Sequence, residues 1–142
     1  MDAFDADVLI YATVRDHRLG RRVRALFPSG PVAAATPERI GSVLLLPELL
    51  ARPMRRGAQD EIAALGALLG RLTLQPVGTD TAQLATALAA SYGLRAADAV
   101  HLATAVAAGA DRFLTNNSKD FPKTITEIDI TYPDDLPDPG PR

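Results

Sequence analysis

Residues 95–115, "RAADAVHLATAVAAGADRFLT", join a helical pattern to a strand within one short stretch. The alanine-rich run to Gly109 has the spacing of a helix and ends on the residue type that best closes one. "RFLT" (112–115) is a compact apolar strand, and the polar turn "NNSKDF" follows it. The same alternation recurs earlier. "AFD" closes a short opening strand, and "VLIYATVR" reads as a helix start with Asp7 as its N-cap. "RLGRRVRALF" has helical apolar spacing, and "PSGPVAAATPER" is loop-rich. Residues 41–57, "GSVLLLPELLARPMRRG", read as a helix with Ser42 near its cap, in which Pro47 marks a later start or a kink. Helices are predicted over 59–72 and 79–93, a short strand over 73–77, and a strand over 125–131. Helices interleaved with short apolar strands imply an α/β fold, with a short, mostly parallel central sheet flanked by helices. One domain is expected over 1–132, followed by a proline-rich tail, 133–142, that is disordered or draped on the surface.

Composition narrows the chemistry. At 142 residues, 47% of them hydrophobic, the chain is long enough to bury a sizeable core and too apolar for wholesale disorder. The absence of cysteine excludes disulfides and thiolate metal sites. No basic leader with a long apolar run opens the chain, and no segment has the length of a membrane span, so a cytoplasmic protein with no membrane partner is expected. A net charge of −2 does not mark a nucleic-acid binder. Its distribution is more informative: residues 15–24 hold five arginines and 51–57 three more, while acids gather over 126–138. Basic segments of this kind could track a phosphate backbone, but on charge alone a solvated helix face is the better reading.

In open α/β sheets, reactive groups gather beyond the carboxyl ends of the strands. Asp5 stands at one such end; Asn117 and Asp120 follow another. Asp98 begins a helix, where the dipole favours a carboxylate, and Glu48 is an isolated acid among leucines. Each has a bland reading as cap, turn former or exposed charge; the conjunction carries more weight. Converging carboxylates repel one another, and a hard divalent ion relieves the conflict. Such a site activates water and stabilises in-line displacement at phosphorus, which is nuclease chemistry.

"FDADVLIYA", "SVLLLPELL" and "RAADAVHLATAVAAGADRFLTNNSKDF", in this order, resemble the PIN-domain ribonucleases of the VapC toxin type, over roughly residues 3 to 131. The resemblance implies a PIN-like fold and a metal-dependent endoribonuclease, the toxin of a toxin–antitoxin pair. It implies Asp5, Asp98 and Glu48 as holders of Mg²⁺ or Mn²⁺, with Asn117 or Asp120 at the fourth position. Thr115 matches the hydroxyl residue at the strand end, Asp7 a polar position, and Ala6 replaces the usual threonine or serine. An RNA substrate, a cognate antitoxin and a homodimer through the alanine-rich helices are likewise implied. His101 is given no role.

Two other readings compete. "DADVL" also resembles the start of haloacid-dehalogenase-type phosphatases, but Leu9 stands where threonine or valine is wanted, and the acidic pair Asp134–Asp135 lies in the tail. The second is a non-catalytic PIN-fold module that binds RNA or protein, with Ala6 and Asn117 as signs of a decayed site.

Overall fold

The computed structural model describes residues 1–28 and 38–140. In chain order it contains β1 (Asp2–Phe4), α1 (Ala6–Thr13), α2 (Arg18–Arg24), β2 (Arg39–Ser42), α3 (Leu45–Arg56), α4 (Gln59–Leu69), β3 (Thr73–Gln75), α5 (Thr79–Tyr92), α6 (Ala96–Ala107), β4 (Arg112–Leu114) and β5 (Asp129–Thr131). A 3₁₀ turn, Pro133–Asp135, follows. The strands form one sheet in the order β3-β2-β1-β4-β5, and every neighbouring pair is parallel. The chain's first strand is therefore the central one. It pairs on one side through Ala3–Ile40 and on the other through Phe4–Leu114.

Each central strand sends alternate residues to opposite faces, as the two-residue period of a strand requires. Ala3 and Phe113 join the core under α5 and α6, with Leu102, Phe121 and Ile130. Phe4 and Leu114 join the core under α1, α3 and α4, with Val8, Leu45 and Leu65. The alanines of α5 and α6 permit close packing: Ala85, Ala99, Ala103 and Ala105 are buried within the chain itself. Among the described residues, no helix is long and apolar enough to cross a membrane.

The structure departs from the sequence reading in several places, among them the ends of the helix read over 59–72 and the strand read over 73–77, which close at Leu69 and Gln75. Residues 39–42 are a strand, and the helix placed over 41–57 begins only at Leu45. Gly41 and Ser42 belong to the sheet because they pair with Leu74 and Gln75; such pairing is invisible to local periodicity. Pro47 falls in the first turn of α3, where its missing N–H has no carbonyl to serve, whereas Pro53 lies inside the helix. The N-cap of α1 is Asp5 and not Asp7; the helix begins two residues earlier than periodicity suggested, so Asp7 sits in the first turn. The last strand covers only 129–131 of the predicted 125–131. The loop read over 28–39 lies mostly outside the described residues.

The tail is draped. Leu136 is buried against the α1–α3–α4 core, and Arg22 Nη1 donates to its carbonyl at 2.7 Å. Arg18 pairs with Asp134 at 3.0 Å, and Arg21 donates to the Gly140 carbonyl. Arg24 donates to the carbonyls of Ala12, Val14 and Arg15. Much of the basic segment 15–24 thus ties down its own chain.

The crossing of α1 and α2 depends on one small residue. A Cβ built on Gly20 would lie 2.0 Å from the Tyr11 carbonyl oxygen, a clash with backbone that no rotamer relieves. Gly20→Ala should therefore lower unfolding free energy by about 2–3 kcal/mol in denaturant titration, the cost of overpacking. An unchanged midpoint would show that α1 and α2 do not approach so closely.

Candidate functional site

In a parallel sheet with crossover helices, the helices run antiparallel to the strands. Their N-termini therefore collect at the strands' carboxyl ends. Four of the predicted acids are placed by this rule. Asp5 ends β1 and caps α1; Glu48 lies in the first turn of α3, which follows β2; Asp98 lies in the first turn of α6. Asp120 follows β4 across the turn that begins at Thr115. Each helix N-terminus also presents the positive end of its dipole to these charges.

Asp5 is the anchor. It is 5% exposed, and its two oxygens are held from opposite sides. Oδ1 accepts from the Ala6 N–H at 2.8 Å, and Oδ2 accepts from the Thr115 hydroxyl at 2.8 Å. Thr115 is itself fully buried and accepts from the Asn117 N–H. The first strand's acid is thereby fixed to the end of the strand beside it, 110 residues away in sequence. Asp7 makes a second link across the same gap: Oδ1 accepts from Val8 N–H at 2.7 Å and Oδ2 from Asn116 N–H at 3.0 Å. The Asn116 amide also reaches the Tyr11 hydroxyl.

These carboxylates feel one another. Burial, and then the charge of Asp5, pushes Asp7 up to about 7. Burial raises Asp98, and the charges of Asp5, Asp120 and Glu48 raise it further. Asp5 is raised chiefly by burial, against the lowering effect of the Thr115 hydrogen bond. Their fields overlap, as expected of groups gathered at one sheet edge.

Two hydrogen bonds hold the Asn117–Asp120 turn. Asn117 Nδ2 donates to Asp120 Oδ2 at 2.9 Å, and its Oδ1 accepts from the Asp120 N–H at 3.2 Å. Asn117 is thus turned onto Asp120, and Asp120 is the member of the pair whose charge bears on Asp98. The phosphatase reading finds no such support. Asp134 is paired with Arg18, and Asp135 with Lys123 at 2.5 Å.

His101, passed over in the sequence, is the residue the structure adds. It is almost wholly buried one turn beyond Asp98, and its Nε2 lies 2.8 Å from Glu48 Oε1. The three-residue spacing from Asp98 signalled a shared helix face, but its partner on α3 could not be read from α6 alone. Tyr11, stacked on His17 with ring centroids 4.3 Å apart, was likewise unmarked.

The donor set is all oxygen, apart from His101, and anionic, which suits a hard divalent ion. Among the described residues, no three Asp, Glu or His side chains are gathered tightly enough to enclose an ion by themselves. An ion held here would take one or two carboxylates directly and keep several of its waters, as Mg²⁺ commonly does.

Comparisons with known proteins agree with this architecture. The chain is similar over 94% of its length to a toxin–antitoxin complex from Klebsiella pneumoniae, with 98% of that chain covered, TM-score 0.72 and 22% identity. It resembles VapBC2 from Rickettsia felis, bound to a DNA fragment from its promoter, over 92% of this chain and 97% of that one, with TM-score 0.72 and 18% identity. It also resembles VapC20 of Mycobacterium tuberculosis, a sarcin–ricin loop cleaving toxin, over 91% and 99% of the two chains, with TM-score 0.65 and 18% identity. Identities this low establish the shared fold. No curated protein matches the chain. The PIN domain family model matches residues 3–125, from the strand before Asp5 to the segment beyond Asp120. The chain belongs to the PIN domain family.

Proposed function

We propose that the protein is a metal-dependent endoribonuclease and the toxin of a toxin–antitoxin pair. The observation that carries this reading is the buried Asp5–Thr115 hydrogen bond, which anchors a group of carboxylates whose charges overlap at the carboxyl edge of the sheet. The solved structures of similar fold support it: one is a toxin–antitoxin complex, and another cleaves the sarcin–ricin loop. Asp5, Asp98 and Glu48 would hold Mg²⁺ or Mn²⁺, with Asp120 as the fourth acid and Asn117 as the residue that sets it. A divalent ion bound there supplies an activated water and neutralises charge developing at phosphorus.

The protein's own groups do the rest. Thr115 and the Ala6 N–H fix the direction of the Asp5 carboxylate, so the anion is preorganised rather than gathered at the moment of reaction. Arg52 is exposed one turn along α3 from Glu48 and suits a phosphate of the bound strand. The cytoplasmic partner would be an antitoxin that covers the acidic edge with a basic side chain. A homodimer is the expected core of the larger complex.

The test is cleavage of total RNA, tRNA and ribosomal RNA by the purified chain with Mn²⁺ and with EDTA. Cutting that requires Mn²⁺ and stops in Asp98→Ala is the expected outcome. RNA left whole by the wild type under all conditions, yet bound as well as by Asp98→Ala, would favour the non-catalytic module. Within the site, Asp120→Ala should cost about 100-fold in cleavage rate and Asn117→Ala about tenfold, because a carboxylate is lost in the first and only its orientation in the second. The opposite order would make Asn117 the fourth-position residue.

A further inference from the structure

His101 stands outside every role assigned so far, and its surroundings are unusual. The side chain is 1% exposed, on the buried part of α6 with Leu102, Thr104 and Ala105. Its Nε2 meets Glu48 Oε1 at 2.8 Å, while Nδ1 is buried with no hydrogen-bond partner. A buried N–H without an acceptor costs more than one net hydrogen bond contributes. The proton therefore belongs on Nε2, where it is donated to Glu48, and Nδ1 carries a bare lone pair. Glu48 needs such a hold. Its side chain is 34% exposed on the first turn of α3, and a glutamate has three torsions to fix. α3 packs on one face of the sheet and α6 on the other, so the contact joins the helices that carry the second and third acids.

We infer that His101 is a positioning residue: its Nε2–H fixes the Glu48 carboxylate toward the ion site, and its burial keeps that donor from turning away. Hydrogen-bonded outer partners of this kind commonly set the affinity of a carboxylate site. The inference rests on the metal-dependent reading above and deepens it.

The experiment is Mn²⁺ titration of the full chain, followed by electron paramagnetic resonance, with thermal unfolding in EDTA measured alongside. His101→Leu fills the same space and removes both the donor and the orphaned Nδ1. It should weaken Mn²⁺ binding about tenfold without lowering the metal-free unfolding temperature. His101→Gln, whose amide donates at a similar reach, should restore affinity to within about threefold of wild type. In a Glu48→Gln background, His101→Leu should have no further effect on affinity. Long-range ¹H–¹⁵N spectra should show the ring proton on Nε2. Unchanged affinity in His101→Leu, loss that adds fully to that of Glu48→Gln, or a proton found on Nδ1 would each overturn the assignment. If His101→Leu does not fold, the glutamine variant and the ring spectra decide between the same outcomes. A wild-type chain that binds no Mn²⁺ overturns the metal-dependent reading itself, and this inference with it.

Discussion

Asp5→Asn should abolish RNA cleavage, by about a thousandfold or more, while making the metal-free protein harder to unfold. Both halves follow from one location. Asp5 is the most buried acid of the site, and its charge raises both Asp7 and Asp98. On the proposed reading, removing that charge would remove the anchor for a divalent ion. It also removes an anion from a dry position and relieves two neighbours of a repulsive field. Asparagine keeps the shape and can still accept from the Ala6 N–H, so the fold should survive. Cleavage assays and thermal unfolding in EDTA test the two halves separately. An Asp5→Asn chain that cuts RNA at a rate near wild type would remove Asp5 from the site. One that is less stable than wild type in EDTA would mean that the carboxylate serves the fold more than the chemistry.

The second large effect is on pH. Asp7 has an ordinary value of 3.8 and is held at about 7 in the folded chain, with burial as the main cause and Asp5 next. Between those values the folded state binds a proton that the unfolded state has released. Stability is therefore greatest at the acid end of the window and is lost as pH rises through about 7. Asp5 and Asp98 are raised as well and act in the same direction. The loss between pH 5 and pH 8 should be about 2–4 kcal/mol in EDTA, measured by urea unfolding. Bound Mn²⁺ should flatten this slope, because it takes the place of the protons. Asp7→Asn should reduce it. Stability that is equal or greater at pH 8 in EDTA would contradict the carboxylate crowding on which the functional reading depends.

What could be read in advance divides by range. Helices with local punctuation were legible: Gly93 and Gly109 adopt the left-handed conformation at helix ends, where the sequence placed stops. The strand at Arg112–Leu114 announced itself by its apolar run. β2 did not, because "RIGS" holds a charge, a glycine and a serine; what makes it a strand is its place between β1 and β3. The positions of Asp5, Glu48 and Asp98 followed from strand ends, helix starts and family resemblance. The contacts that orient them did not. Thr115 to Asp5, Asp7 to Asn116 and Glu48 to His101 each join residues more than fifty positions apart, and no local pattern encodes such a pairing. The arginines of 15–24 show the same limit from the other side. Their charge was plain, but their use in holding residues 134–140 was not.

The order of the strands sets when the site can exist. β1 leaves the ribosome first, yet its partner β4, and the Thr115 that fixes Asp5, come 110 residues later. At about 5–20 residues per second, that interval is on the order of 5–20 s of synthesis, longer still once the exit tunnel must be cleared. Throughout it Asp5 is an unmoored side chain, and Asp98 and Asp120 are unmade or still enclosed. Until residue 115 has been made and has cleared the tunnel, a growing chain therefore cannot hold Asp5 as the folded site holds it.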